Sequence, residues 1–497
     1  MASSDRPTRQ LLCFRAFSLR IVLLTVSIVI FPAALCAQSS TAGSTASSAG
    51  GAVQVQTPAQ NPVFGSVPET KPTPGVLPLT FSDAIERALR QNLAGLLSEY
   101  NTIEARGEKW QKLSDLLPNV NADVQEAREK VSLEAEGLRS GGPLGNLPRV
   151  IGPFSYFDVR ASATQRVFDW KSIQKYRSSV VGESVARFNL KDARDLVVLA
   201  TGNAYLQAIA GAARVETAQA QVETAKALYD KAVAQQQAGV APAIDTLRAQ
   251  VEYQTRRQQL IVATNDFAKQ KISLARVIGL APRQEFELAD KAPYQAFPIP
   301  DLETSLQRAY SLRSDYKAAR DRLVAAQLER SAATAGYFPT IDMTANYGEI
   351  GAVPGDVLPT YAVVGTLNIP IFQGGKVHGD VLKAEASLRQ AQAQMADVRG
   401  QIDQDIRNAL LDLKSSADQV EVAESSVNLA EQALTQSRDR FSAGVTDNLE
   451  VVQAQEALAT AHESFISSLY LHNLAKVSFA RALGRAEEGV REYLKGK

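Results

Sequence analysis

The chain has 497 residues, of which 45% are hydrophobic and 21% charged, so it is long and apolar enough to bury a sizeable core. Lys and Arg together number 53, and so do Asp and Glu, so no net charge would attract nucleic acid. The composition therefore gives no support to a nucleic-acid-binding protein.

The N-terminus has the three parts of a secretory signal peptide. Arginines precede an apolar run at residues 21–31, and the small-residue sequence PAALCAQ follows it. The apolar run is shorter than the roughly 20 residues of a membrane-spanning helix. We predict a signal peptide at 1–37, whose cleavage removes both Cys13 and Cys36 and leaves no disulfide or cysteine-bound metal. Lipidation of Cys36 is the alternative, although Leu35 is larger than the residue such a site needs.

The next segment, residues 38–78, consists largely of Ser, Ala, Gly and Pro. It offers too little apolar surface to offset the entropy lost on ordering. We predict that it is a flexible leader.

Beyond the leader the chain repeats itself. The sequence QAGVAPAIDTLRAQ (Gln237–Gln250) matches SAGVTDNLEVVQAQ (Ser442–Gln455), with the two AGV glycines 205 residues apart. The segments VFDW and IFQG match in the same way, and so do LLPNV and YFPTI, which contain Pro118 and Pro339. The repeat therefore predicts that the fold consists of two copies of one structural unit.

These matches divide the mature chain into a first repeat at 79–290, a second repeat at 291–485 and a C-terminal tail at 486–497. The first repeat carries an extra insertion at 129–149, between its two predicted strands.

Each repeat predicts one helix, two strands, one long helix and one helix of half that length. In the strands, apolar and polar residues alternate, as in Ile341, Asp342, Met343 and Thr344, which predicts one apolar and one polar face. The predicted helices are 82–115, 171–237, 243–279, 302–335, 376–442 and 448–483, and the apolar residues of 376–442 follow a heptad pattern. The long ones span roughly 100 Å at 1.5 Å per residue, and two short ones laid end to end equal one long one.

Together these features resemble the TolC-like outer membrane efflux protein family, over residues 79–483. The features specific to the resemblance are the tandem repeat, the strand starts at Pro118 and Pro339, the strand end IPIFQGG, and the AGV tips followed by an acid. The resemblance implies a mainly α fold with a transmembrane β-barrel part, in which a homotrimer completes a 12-stranded barrel and a 12-helix tunnel. A strand with open edges cannot lie in lipid, and four strands cannot close a barrel, which agrees with assembly from several chains.

The stretch IPIFQGG is interpreted as the junction between barrel and tunnel. Pro370 withdraws a ladder donor at the strand end, and Gly374 and Gly375 permit the backbone angles of a sharp turn. Phe372 and its counterpart Phe168 complete the predicted junction. The alternatives are a plain strand–helix loop or a phosphate-binding loop, but the latter needs a hydroxyl residue after the lysine, and Val377 stands there.

The AGV sequences predict the outermost points of the tunnel. Gly239 and Gly444 are expected to cap helices in the left-handed conformation. The resemblance implies that these glycines, with Val240 and Val445, are also docking points for a periplasmic adaptor.

The acids that follow the tips have two readings. Asp245 and Glu450 suit the positive end of a helix dipole, which is an ordinary structural role. The resemblance implies instead that they line the closed periplasmic mouth. The family's inner acid, its partner aromatic and its restraining arginine fall here on Gln453, Phe441 and Thr446.

No catalytic constellation, cofactor motif or metal-binding pattern is predicted, and the chain is not expected to be an enzyme. The resemblance implies an exit duct in the outer membrane, with a long periplasmic part, that contacts outer-membrane lipid and carries small molecules or proteins. The implied partners are a periplasmic adaptor and, through it, an inner-membrane pump of the RND or ABC type. The alternative is a periplasmic coiled-coil structural or adaptor protein without a barrel.

Overall fold

A computed structural model of the chain describes residues 61–69, 75–135, 148–290, 294–446 and 448–493. The predicted signal peptide and most of the predicted leader lie outside these residues. The helices are α1 (Phe81–Gln91), α2 (Leu93–Ser114), α3 (Trp170–Gln237), α4 (Ala243–Ile278), α5 (Leu302–Leu312), α6 (Ser314–Thr334), α7 (Lys376–Ser442), α8 (Asn448–Ala482) and α9 (Ala486–Tyr493). The strands are β1 (Leu77–Leu79), β2 (Asn119–Ser132), β3 (Val150–Phe168), β4 (Phe286–Leu288), β5 (Thr340–Val353) and β6 (Asp356–Asn368).

The two long helices agree with the prediction to within one residue. Helix α3 has 68 residues and α7 has 67, so each is roughly 100 Å long. The most apolar part of α3 is buried in the middle of the molecule, where Tyr205 and Ala208 are 0% exposed. The half-length helices α4 and α8 also begin and end within one residue of their predicted limits.

The other two predicted half-length helices are wrong as single helices, because each is broken. Asn92 interrupts the first between α1 and α2, with φ −69° and ψ 135°. Its side chain accepts from Ala94 N at 2.9 Å and donates to Val63 O at 2.7 Å, so the break caps one helix and binds a distant segment. Arg313 occupies the same place between α5 and α6, with φ −57° and ψ 128°.

In each repeat, the C-terminal end of the other half-length helix packs against the break. Asn92 Nδ2 donates to Val277 O at 3.4 Å, and Arg313 Nη1 donates to Ala482 O at 3.3 Å. The glycine after each of these helices, Gly279 or Gly484, has φ 70° or 75°, and it lies so close to the break that an added Cβ would collide with Gln91 or Arg313. The helices therefore stack end to end as predicted, but α1 and α5 are separate from the stack.

The strands form two sheets in the described residues. The larger sheet is antiparallel with the order β2-β3-β5-β6. The smaller sheet pairs β1 with β4 in parallel, and these two strands are not among those that the sequence predicts. Pairing between the start and the end of the first repeat cannot be inferred from three-residue strands.

The last part of the predicted leader is packed rather than flexible. Val67 N donates to Gln91 O at 2.8 Å, and Glu69 N donates to Gly279 O at 3.1 Å. Val63 and Leu77 pack against the core cluster around Tyr205. The predicted tail likewise contains α9, where Ala486 is 0% exposed and Glu487 pairs with Arg194 at 2.9 Å.

Candidate functional site

The four-stranded sheet has the two faces that the alternation predicts. Ile341, Ala345 and Tyr347 lie opposite Leu367, Val363 and Tyr361, so the apolar positions of β5 and β6 share one face. On the same face, Ala161 of β3 lies between Ala122 of β2 and Tyr347. Val363 is 66% exposed and Tyr361 is 79% exposed, so nothing in the described part of the chain covers this apolar band.

The opposite face carries a polar network across three strands. Arg160 donates to Asn346 Oδ1 at 2.8 Å, to Thr360 Oγ1 at 3.3 Å and to Asp158 Oδ2 at 3.2 Å. A sheet with one bare apolar face and one polar, cross-linked face suits a wall between lipid and water.

The elements are arranged side by side in one layer. Strand β2 and strand β6 are the two edges of the sheet. In the helical part, α3 packs against α2 and α4 on one side and against α6 and α8 on the other, and these last two pack against α7. One flank of the layer is therefore β2, α2 and α4, and the other is β6 and α7.

Both flanks expose apolar residues at heptad spacing. On α4 they are Ile244, Leu247, Val251, Ile261 and Ile272, each 50% to 69% exposed. On α7 they are Leu411, Val422 and Leu429, each 63% to 66% exposed. We call these sets the α4 seam and the α7 seam. A heptad of exposed apolar residues indicates a further helix packed against it.

The junctions between sheet and helices differ in the two repeats. In the second repeat, β6 ends at Asn368, and Gly374 and Gly375 have φ 58° and 83° before α7 begins at Lys376. Phe372, two residues after the half-buried Pro370, is 87% exposed. In the first repeat, one residue separates Phe168 from α3.

That single residue, Asp169, caps helix α3. Its carboxylate accepts from Lys171 N at 2.9 Å and from Ser172 Oγ at 2.6 Å. The chain therefore turns from strand to helix through a glycine pair in the second repeat and through a capping aspartate in the first. The sequence analysis identified only the glycine pair.

The tips are glycine-capped helix ends. Gly239 and Gly444 have φ 75° and 73°. Val240 N donates to Gln235 O and Val445 N donates to Arg440 O, both at 3.0 Å, which is the hydrogen-bond pattern of a Schellman cap. Val240 is 74% exposed and Val445 is 69% exposed, so each tip presents an apolar side chain.

Glu450 is bound within its own hairpin. Its carboxylate accepts from Arg440 Nη1 at 3.0 Å, from Ser437 Oγ at 3.5 Å and from the hydroxyl of Thr446. The sequence analysis missed Arg440, although its place ten residues before Glu450, across the tip, could have suggested the pair. Each Glu450 therefore carries a compensating cation that we did not expect.

The other predicted mouth residues are spread around the same end. Phe441 packs with the cluster of Leu228, Leu434 and Val451, and its ring centroid lies 5.4 Å from Lys231 Nζ. Gln453 is exposed. Asp245 is half-buried and lies 3.7 Å from Arg248 on the same helix. The role of these residues, with Glu450 and Thr446, in lining a pore stays a prediction.

Several ionisable groups in the helical part are strongly perturbed, and the sequence analysis missed them. Hydrogen bonds from Lys109 and then Arg187 lower the pKa of Glu183 to about 2. Burial raises the pKa of Asp195 to about 6 and lowers the pKa of Lys476 to about 8. In the described part of the chain, no group of three or more His, Cys, Asp or Glu side chains is arranged to hold a metal ion.

The chain matches the family model for "Outer membrane efflux protein" over residues 86–280 and 305–485. It is 24% identical over 391 residues to the toluene efflux pump outer membrane protein TtgF of Pseudomonas putida, covering 75% of this chain and 76% of that protein. It is 24% identical over 394 residues to the pyoverdine export outer membrane protein OpmQ of Pseudomonas aeruginosa, covering 77% and 80% of the two chains. Its fold is similar to that of the Campylobacter jejuni CmeC outer membrane channel, with a TM-score of 0.72 at 17% identity over 84% of this chain and 89% of that one.

Proposed function

The chain belongs to the outer membrane efflux protein family, and from that premise we propose that three copies of it form one exit duct. The duct crosses the outer membrane as a barrel and continues through the periplasm as a helical tunnel. The observation that carries the proposal is that, among the described residues, both flanks of the layer lack a partner.

The flanks support a ring of identical chains. The free edge of β6 can pair with the free edge of β2 of the next copy, and the α7 seam can pack against the α4 seam. Such a head-to-tail contact closes into a ring when the rotation between copies fits. Two copies would give a barrel of about eight strands, which side chains fill, whereas three give about twelve and leave a lumen.

The partners follow from the position of the tips. Val240 and Val445 are exposed at the AGV tips, and in the proposed duct these tips form the end of the tunnel farthest from the membrane. We propose that a periplasmic adaptor docks there and connects the duct to an inner-membrane pump of the RND or ABC type. The cargo is then what the pump delivers, which in the relatives named above is toluene or pyoverdine.

A periplasmic coiled-coil protein without a barrel, the alternative from the sequence, does not agree with the family or with the bare apolar face of the sheet.

Native mass spectrometry of protein extracted from outer membranes tests the assembly. We expect a mass of three chains and, in planar bilayers, steady conductance. Changing Val422 and Leu429 of the α7 seam to Asp buries unpaired charge at every interface and should leave single chains. Asn428→Asp, on another face of α7, is the matched control and should leave the trimer intact. A wild type that runs as a single chain, or a seam variant that stays trimeric, would contradict the proposal.

A further inference from the structure

The segment that connects the two repeats lies along helix α8. It follows β4 and precedes α5, and we call its described residues 294–301 the strap. Tyr294 packs against His472 with ring centroids 5.4 Å apart, and Phe297 packs edge-on against Phe479 with centroids 6.0 Å apart. The two residues of α8 are about two turns apart, so the strap follows one face of that helix.

Two basic side chains of α8 lie under the strap. His472 and Lys476 are each 1% exposed, and they are about one turn apart on the helix. Lys476 Nζ donates to the carbonyl oxygen of Gln295 at 2.5 Å, and His472 Nε2 lies 3.4 Å from the same oxygen. The two basic groups therefore share one backbone carbonyl of the strap.

No carboxylate among the described residues pairs with either basic group. The other side chains that face His472 are Ser416 of α7, 3.3 Å from Nδ1, and Tyr294 of the strap, and both are uncharged at neutral pH. Burial lowers the pKa of Lys476 to about 8, so this group is mostly protonated at neutral pH. Burial, and then the charge of Lys476, lower the pKa of His472 below its ordinary value. A protonated His472 would therefore place a second unpaired charge in the same buried site.

We propose that the strap is a pH-sensitive switch, which stays on α8 while His472 is neutral and leaves it when His472 is protonated. Once the strap has left α8, water reaches His472 and stabilises its charged form. The open form therefore binds more protons than the closed form below about pH 6.5, and the closed form loses stability as the pH falls further, by up to about tenfold per pH unit.

Opening of the strap changes both the surface of α8 and the connection between the repeats. It uncovers the part of Phe479 that Phe297 covers in the closed form, where Phe479 is 1% exposed. It also frees the segment that joins the first repeat to α5. The switch lies within one chain, so it does not depend on the proposed assembly.

Native-state proteolysis of the purified protein in lipid nanodiscs tests the switch, because cleavage needs the open strap and its rate follows the open population. Proteinase K is applied at pH 7.5 and at pH 5, and mass spectrometry measures cleavage within residues 294–301. A free peptide of the same sequence corrects for the activity of the protease at each pH. We expect the corrected rate to rise between about fivefold and about 30-fold from pH 7.5 to pH 5.

His472→Gln keeps a neutral hydrogen-bond donor but cannot be protonated, so its corrected rate should change less than about twofold over the same pH range. Lys476→Met removes the neighbouring charge, and its rise should be several-fold smaller than that of the wild type. His462→Gln, a half-buried histidine ten residues earlier on α8, is the control and should behave as the wild type does.

Thermal unfolding at pH 7.5 shows whether each variant folds, and Lys476→Met carries the test if His472→Gln does not. A wild-type rate that is the same at both pH values, or a rise in His472→Gln equal to that of the wild type, would overturn the switch. Trimer mass and conductance are measured separately at pH 7.5, so failure here leaves the proposed duct unaffected.

Discussion

At the scale of single residues, Asp195 connects the C-terminal helix to the body of the protein. Its carboxylate accepts hydrogen bonds from the backbone N–H groups of Ala486 and Glu487, at the start of α9, and burial raises its pKa to about 6. In an unfolded chain the pKa is about 3.9. The folded protein therefore binds more protons than the unfolded chain between about pH 4 and pH 6, and its stability falls as the pH rises through this window.

We accordingly expect the wild type to gain about 1–3 kcal/mol from this group between pH 7 and pH 4. Asp195→Asn has no charge to titrate and should lose that part of the pH dependence. Thermal unfolding of the purified trimer at several pH values measures it, with Asp418→Asn, an exposed carboxylate on α7, as control. Parallel curves for the Asp195 variant and the wild type would exclude Asp195 as the source.

Gly444 is the second residue-scale test, because its φ of 73° is strained for any residue with a Cβ. Gly444→Val should cost about 1 kcal/mol or more and block export while trimers still assemble. Gly400→Ala, at a helical glycine of α7 with no neighbouring atom near an added Cβ, should instead stabilise by about 0.5–1 kcal/mol. Export assays and trimer yield are measured together, and a joint loss of both in Gly444→Val would make the glycine purely structural.

At the scale of elements, strand β6 has two faces that a single substitution can distinguish. Val363 lies on the apolar face opposite Ala345, whereas Thr366 lies on the polar face opposite Asp342. Val363→Arg should cost roughly 2–4 kcal/mol near the middle of the membrane, and Thr366→Arg should be tolerated. Urea unfolding in lipid vesicles compares them. Equal costs at the two positions would contradict the assignment of faces.

The two helix breaks have the same geometry in both repeats but are held by different interactions. Asn92 serves the first repeat with neutral hydrogen bonds, and Arg313 serves the second with ion pairs to Asp315 at 2.6 Å and Asp405 at 2.8 Å. Arg313 is 3% exposed, so its removal would leave these acids uncompensated. The geometry of the joint is common to both repeats, but its interactions are not.

At the scale of the whole molecule, the proposed trimer would bring three Glu450–Arg440 pairs to one end of the tunnel. A ring of carboxylates in a narrow mouth favours cations and binds multivalent ones, but Arg440 compensates each carboxylate. We expect cation-selective conductance in planar bilayers, with block by multivalent cations from the periplasmic side. Arg440→Gln should strengthen that block, Glu450→Gln should weaken it strongly, and Asp245→Asn should weaken it less.

Glu431→Gln, about three turns before the end of α7 at Ser442, is the control for general surface charge and should change neither selectivity nor block. High salt screens exposed charges over distances beyond a few ångströms, so the comparison is made at both low and high ionic strength. If the block by multivalent cations is unchanged when Asp245 and Glu450 are neutralised together, the two residues do not line the pore and only stabilise the helix dipole.

The amino-acid sequence by itself determined the repeat, the two long helices, the faces of the strands and the positive φ at the tips. These features depend on periodicity and on glycine, which act over a few neighbouring residues and can be read locally. The breaks at Asn92 and Arg313 carry no glycine or proline, so the helical pattern continues through them. Only the tertiary structure decided them, because each forms by contact with a helix end more than 150 residues away in the chain. The contact of the leader with Gly279 and the β1–β4 pair also join residues distant in sequence, and the Arg440–Glu450 pair depends on how the two arms of one hairpin face each other.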